Sequence, residues 1–158
     1  MNATLTIDEP AFLNSIMAEF QKVKVPCQAA MAKEFHRIVI ANFEESDGED
    51  RPQTWDKLRY MYANEKHDGD RTPHLTLSGT LKNSIDIGDN LEDYASVFTF
   101  NPYAADHQNP DGFESEFEGK KYHIPGRPFF PIVDNEVIPY TAQKCVDACE
   151  AELVRSLK

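Results

Sequence analysis

The sequence predicts an α+β domain, with a long N-terminal helical segment and a C-terminal helix packed on a small antiparallel β-sheet. Three observations predict it. Apolar residues recur at helical spacing over residues 12–43, and do so again over 145–157. Between them, residues 94–100 alternate with a period of two.

Taken in order, Leu5 and Ile7 alternate with Thr4 and Thr6 as a short strand. Asp8 offers an N-cap oxygen, and Pro10 falls in a first helical turn where its missing N–H costs nothing. Phe12, Leu13, Ile16, Met17 and Phe20 form a first apolar stripe. Pro26 removes the bond to residue 22 and should interrupt or kink the helix. Ala30, Met31, Phe35, Ile38, Val39 and Phe43 form a second stripe.

Acidic mobile loops are expected near 44–54, 64–73 and 108–120 of a single domain spanning 1–158. Trp55, Leu58 and Tyr62 mark a short docking helix or turn between the first two. Ser78-Gly79 signals a helix start, with Leu81 and Ile85 one turn apart. Such a start could receive an anion, but with no basic cluster beside it except Lys82 the pair reads as a plain cap. Ile85 and Ile87 then alternate around Asp86, and Tyr94 to Phe100 is the clearest strand. Asn109 to Gly112 is a turn, with Phe113 and Phe117 expected to be exposed beyond it. Residues 122–124 suit a strand, and Pro125, Pro128 and Pro131 hold the next stretch extended. The final helix, from about 139 to 157, carries Cys145, Val146, Cys149, Leu153 and Leu157 as its apolar stripe.

The 158 residues are 41% hydrophobic and 27% charged, enough to bury a core without disulfide or metal. Twenty-seven acids against sixteen bases leave a net charge of −11. That excludes a general nucleic-acid binder, whose affinity comes from Lys and Arg on phosphates. No apolar run approaches the roughly 20 residues of a membrane span, and the first ten residues lack the pattern of a signal peptide. The three cysteines include no CxxC pair, and Cys145 and Cys149 read as small core-facing residues.

No phosphate loop, dinucleotide fingerprint, HExxH or nucleophile elbow is present. The expectation is therefore no catalytic residue, no cofactor and no metal. The alternative is a small metal-dependent hydrolase, for which His107 and His123 with Asp106 or Asp111 are the best ligand candidates. Glu114, Glu116 and Glu118 make a carboxylate row that reads as a solvated loop face. The segment 124–131, IPGRPFFP, packs two aromatics and three prolines around Arg127. Phe129 and Phe130 either plug the base of the final helix or serve a subunit interface, where aromatics and Arg are enriched.

Four motifs occur in order. Trp55-x-x-Leu58 follows a loop with Gly48 and Pro52. Leu77-Ser78-Gly79-Thr80-Leu81-Lys82-Asn83-Ser84-Ile85 comes next, then Tyr103-Ala104-x-x-His107-Gln108, then Ile124-Pro125-Gly126-Arg127-Pro128-Phe129. Together they resemble the tailed-phage virion morphogenesis proteins of the Mu G-like group, over about residues 10–157. Two departures stand out. The glycine usual close behind the His-Gln pair comes four residues later, as Gly112, and Gly126 stands where alanine is frequent.

The resemblance implies a non-enzymatic protein of tail completion or head–tail joining, often assembled into rings. A head-side neck adaptor or assembly factor is the nearest alternative. The implied partners are further copies of the chain and other tail or neck proteins, with no membrane and no sequence-specific nucleic-acid binding. The implied location is the bacterial host cytoplasm during assembly and then the virion. Trp55, Leu58, Ser78, Gly79, Leu81, Ser84, Ile85, Tyr103, Ala104, His107, Gln108, Pro125, Arg127, Pro128 and Phe129 become the candidate interface or structural residues. Residues 44–70 hold nine acids against four bases, and 106–121 five against two. An acidic surface would suit a DNA passage, or would keep an unassembled subunit soluble.

Overall fold

A computed structural model describes residues 9–43, 49–55, 79–88, 94–156 and 158. The expected N-terminal strand, the Asp8 cap, Leu58, Tyr62, the 64–73 connection, Ser78 and Leu157 lie outside the described residues.

Helix α1 spans Glu9–Ala41 without a break, with Pro26 inside it. The expected interruption is absent. One hydrogen bond is lost at Pro26, and its orphaned acceptor belongs to Lys22, an exposed residue whose carbonyl water can serve. The C-terminal half of α1 is held by the last helix, α3, Pro139–Ser156. Along this seam the Cys27 thiol donates to the Cys149 carbonyl at 3.6 Å. At 1.5 Å per residue α1 is about 50 Å long and α3 about 27 Å. The first turns of α1 therefore have no α3 beside them.

That overhang corrects the first expected stripe. Leu13, Ile16, Met17 and Phe20 are 58%, 49%, 57% and 57% exposed and belong to no core. The second stripe behaves as expected, since Ile38, Val39 and Phe43 are fully buried. The α3 stripe is rotated from the predicted one. Thr141 and Cys145 face inward, whereas Val146 and Leu153 lie at the surface.

The small antiparallel sheet is three two-stranded ribbons among the described residues. The first pairs β1, Ile85–Ile87, with β2, Val97–Thr99, shorter than the predicted 94–100. A single 3-10 turn, Lys82–Ser84, leads into β1, in place of a longer helix from Ser78. With three residues it has no dipole worth the name, so the anion reading falls away. A short helix α2, Ala104–Gln108, follows β2.

The second ribbon pairs β3, Phe113–Phe117, with β4, Lys120–Ile124. Most of the expected 108–120 mobile loop is thus a hairpin. Two carboxylates of the row find partners across it. Glu114 lies 3.1 Å from His123, and Glu116 stands opposite Lys121. Phe113 is half-buried, its ring edge-on to His107 at a centroid distance of 5.4 Å. The third ribbon, β5 (Ile132–Val133) with β6 (Glu136–Val137), closes on Asp134-Asn135. Both turn residues have positive φ, 53° and 66°, as a two-residue hairpin turn demands.

The core joins Val39 and Phe43 of α1 to Trp55, Leu81, Ile85, Ala104 and Phe129. Phe129 packs on Phe43 at 4.9 Å, and Phe130 stacks on Phe35 at 6.3 Å. The 125–131 arm therefore packs against the end of α1, and its Pro131 carbonyl accepts from the Ile138 N–H at 2.9 Å, just before the final helix.

Candidate interaction site

Of the motif residues, Trp55, Leu81, Ile85, Ala104, Pro128 and Phe129 are buried within the chain. Their side chains serve the fold and cannot meet another subunit. Gly79, Ser84, His107, Gln108, Pro125 and Arg127 are half-buried around them, and only Tyr103 is strongly exposed among those described. Leu58 and Ser78 lie outside the described residues.

The arm has prolines where a sheet would need donors, so its remaining backbone groups are met largely by side chains. Gln108 acts as a clamp. Its Oε1 accepts from the N–H groups of Phe129 and Phe130 at 3.3 and 3.1 Å, and its Nε2 donates to the Phe130 carbonyl at 3.1 Å. The Arg127 N–H donates to the His107 carbonyl at 2.8 Å. Trp55 Nε1 donates to the Pro128 carbonyl at 3.2 Å. Asn42 Nδ2 donates to the Phe129 carbonyl at 2.8 Å and to the Asp50 carbonyl at 3.1 Å.

Residues 49–54, within the expected 44–54 mobile acidic loop, are fastened to the fold. The Asp50 carboxylate accepts from Thr141 Oγ1 at 2.8 Å and from Lys144 Nζ at 2.6 Å on α3. Arg51 is buried, bonds the Asn42 carbonyl and lies 3.9 Å from the centre of the Trp55 ring. Sequence reading missed Asn42, Asp50 and Arg51. Asp50 is hidden in an acidic run, and a polar residue at a helix end is ordinary.

Gly112 and Gly126 belong to one feature. Asn109–Gly112 lies against 124–126. A Cβ at Gly126 would stand 1.8 Å from the Asn109 carbonyl oxygen, and one at Gly112 would stand 2.2 Å from the Ile124 oxygen. Gly112 also has φ +79°, which suits glycine. The two glycines thus let residues 109–112 and 124–126 approach across one contact.

The Ser84 hydroxyl lies 2.7 Å from both the Leu81 carbonyl and Thr99 Oγ1. Thr99 Oγ1 in turn accepts from the Asn101 N–H at 3.1 Å, and Asn101 Oδ1 accepts from the Tyr103 N–H at 3.0 Å. This chain of bonds ties the Leu81–Ile85 motif to the Tyr103 corner.

No group of three or more His, Cys, Asp or Glu among the described residues is placed to hold a metal. His123 is engaged with Glu114, and the His107 ring with Phe113. Burial, then the nearby Glu34 and Asp50 carboxylates, push the Cys145 thiol up, away from a reactive thiolate. No helix among the described residues is long and apolar enough to cross a membrane.

Burial, then the Arg127 charge, hold the His107 imidazole below its ordinary 6.5, against the pull of Asp106. The unfolded chain therefore binds this proton at higher pH than the folded one. Stability from His107 is complete above that ordinary value and falls as pH drops through it toward the folded pKa. Unfolding measured from about pH 8 to about pH 5 should show this loss, and His107→Gln should flatten the slope. Equal slopes would remove His107 as the cause.

No family model, curated protein or solved structure matches the chain. What the fold defines is an α+β protein whose most distinctive sequence motifs build its core, with an exposed apolar stripe on the N-terminal end of α1.

Proposed function

We propose that this chain is a non-enzymatic virion morphogenesis protein of a tailed phage, acting in tail completion or head–tail joining as a ring-forming subunit. One observation carries the reading. The four motif segments that suggest the family lie far apart in sequence, yet Trp55, Leu81, Ile85, Ala104 and Phe129 meet in a single core. That convergence supports reading the four segments as packing parts of one fold. The partners are further copies of the chain and other tail or neck proteins. The place of action is the host cytoplasm during assembly and then the particle.

Deleting the gene from the phage or prophage that carries it tests the reading. The expected result is separate heads and tails, or tails of wrong length, in electron micrographs, with infectious yield reduced by orders of magnitude. Restoration by the gene supplied in trans completes the expectation. Normal joined particles from the deletion would refute it.

A further inference from the structure

The projecting end of α1 and a cleft elsewhere on the same chain have matching chemistry. Leu13, Ile16, Met17 and Phe20 stand at i, i+3, i+4 and i+7, the anchor spacing of a helix that lies in an apolar groove. The cleft, about 330 Å3, is walled by Met31 and Phe35 of α1, Val97 of β2, Val137 of β6 and Val146 of α3. No charged residue lines it among the described residues. We propose that the α1 stripe of one copy seats in this cleft of the next, joining copies head to tail.

The occupant is a second copy because the stripe cannot reach the cleft of its own chain. Stripe and cleft wall lie on one unbroken helix, with their centres about 25 Å apart along it. Charge favours the same partner. The whole chain carries −11, which sets copies against each other, but residues 9–25 hold two acids and two bases. A neutral stripe meeting an uncharged cleft is the pairing that this repulsion opposes least.

Area sets the form of the assembly. The four stripe residues expose on the order of 400 Å2 of apolar surface. One stripe in one cleft then buries on the order of 800 Å2 in total, below the roughly 1,200 Å2 of a stable pair. In a closed ring every copy makes two such contacts, one through its stripe and one through its cleft. Assembly should therefore rise steeply with concentration and pass beyond the dimer. Ring closure rests on the function proposed above, but the contact itself does not.

The test uses two full-length variants at exposed positions, Ile16→Gln with Phe20→Gln in the stripe, and Val137→Gln with Val146→Gln at the cleft. Circular dichroism and thermal unfolding establish that each folds. Solution mass is then measured over a micromolar concentration series. The wild type should assemble, and each variant alone should need at least about tenfold higher concentration. Mixing the two restores one contact only, between the intact stripe of one and the intact cleft of the other, and at the top of the concentration series should give a weak 1:1 heterodimer that grows no further. Assembly of the cleft variant as strong as wild type would overturn the proposal in favour of stripe-to-stripe pairing. A wild type that stays monomeric, or a mixture that forms no heterodimer, would overturn it too. These outcomes are read on purified protein, so they are distinguishable from failure of the phage assignment, which the deletion reads.

Discussion

Phe129→Ala should destabilise the fold by about 3–5 kcal/mol, a large part of the 5–15 kcal/mol that holds a typical domain folded. The Phe129 ring is wholly buried, packed on Phe43 at 4.9 Å and on Phe130 at 5.0 Å. Its loss leaves a cavity whose walls come from α1, Trp55, the Leu81–Ile85 segment and α2. Collapse into that space is resisted because the backbone of Phe129 is fixed at both polar atoms. Asn42 holds its carbonyl and Gln108 its N–H. Phe129→Leu keeps most of the volume and should lose markedly less. Urea unfolding of the three proteins measures the order. A loss below about 1 kcal/mol for the alanine variant would mean that the core does not close on this ring.

Gly126→Ala should cost about 1–3 kcal/mol, although it adds a single methyl group. The new Cβ would meet the Asn109 oxygen at 1.8 Å, the Asn109 carbonyl carbon at 2.9 Å and the Pro110 carbonyl carbon at 3.0 Å. All three are backbone atoms, so no side chain can swing aside. Moving the loop would disturb the weak bonds from Gln53 Nε2 to the Pro110 and Gly126 carbonyls, both 3.4 Å. Gly119→Ala is the informative control. Gly119 has φ +72° with nothing within 4 Å of an added Cβ, so its cost is conformational alone, about 1–2 kcal/mol. Calorimetric unfolding of both variants separates crowding from backbone strain. A Gly126→Ala protein as stable as wild type would show that the 109–112 turn is free to move away.

The helical ends of the fold were legible because a period near 3.6 persists for many turns, long enough to outweigh one proline. The sequence could not say which part of that period would find a partner. Leu13 to Phe20 and Ile38 to Phe43 are equally apolar, and only the shorter length of α3 leaves the first exposed. The β3–β4 hairpin was legible at residues 122–124, and its first strand carries the same signal. Phe113, Ser115 and Phe117 alternate with carboxylates, and Glu118-Gly119 supplies two positive φ angles, 51° and 72°. The charge of the segment argued for solvent, whereas cross-strand partners at His123 and Lys121 let it pair. Asp134-Asn135 is a similar signal between strands of two residues, too short for alternation to register.

The candidate site divides the same way. The motif order pointed to residues that matter, but it could not tell packing from contact. Trp55, Leu81 and Phe129 look alike in sequence whether they face a core or a neighbour. The clamp of Gln108 on the arm depends on bringing together segments some twenty residues apart. The Asp50 tether spans more than ninety residues, and no local pattern encodes it.

The overhang of α1 has a further consequence, for the order in which things are lost. A helix of its exposed length is marginal in water when isolated, because starting a helix is costly while extending one is not. The outer turns exist as an extension of the turns that α3 and the core hold in place. Their helicity is borrowed from residues 27–41, across Pro26. Damage to the distant core would therefore loosen the projecting surface without altering any of its residues. An assembly defect in such a variant would be a report on cooperativity along one helix, transmitted from its anchored end to its free one.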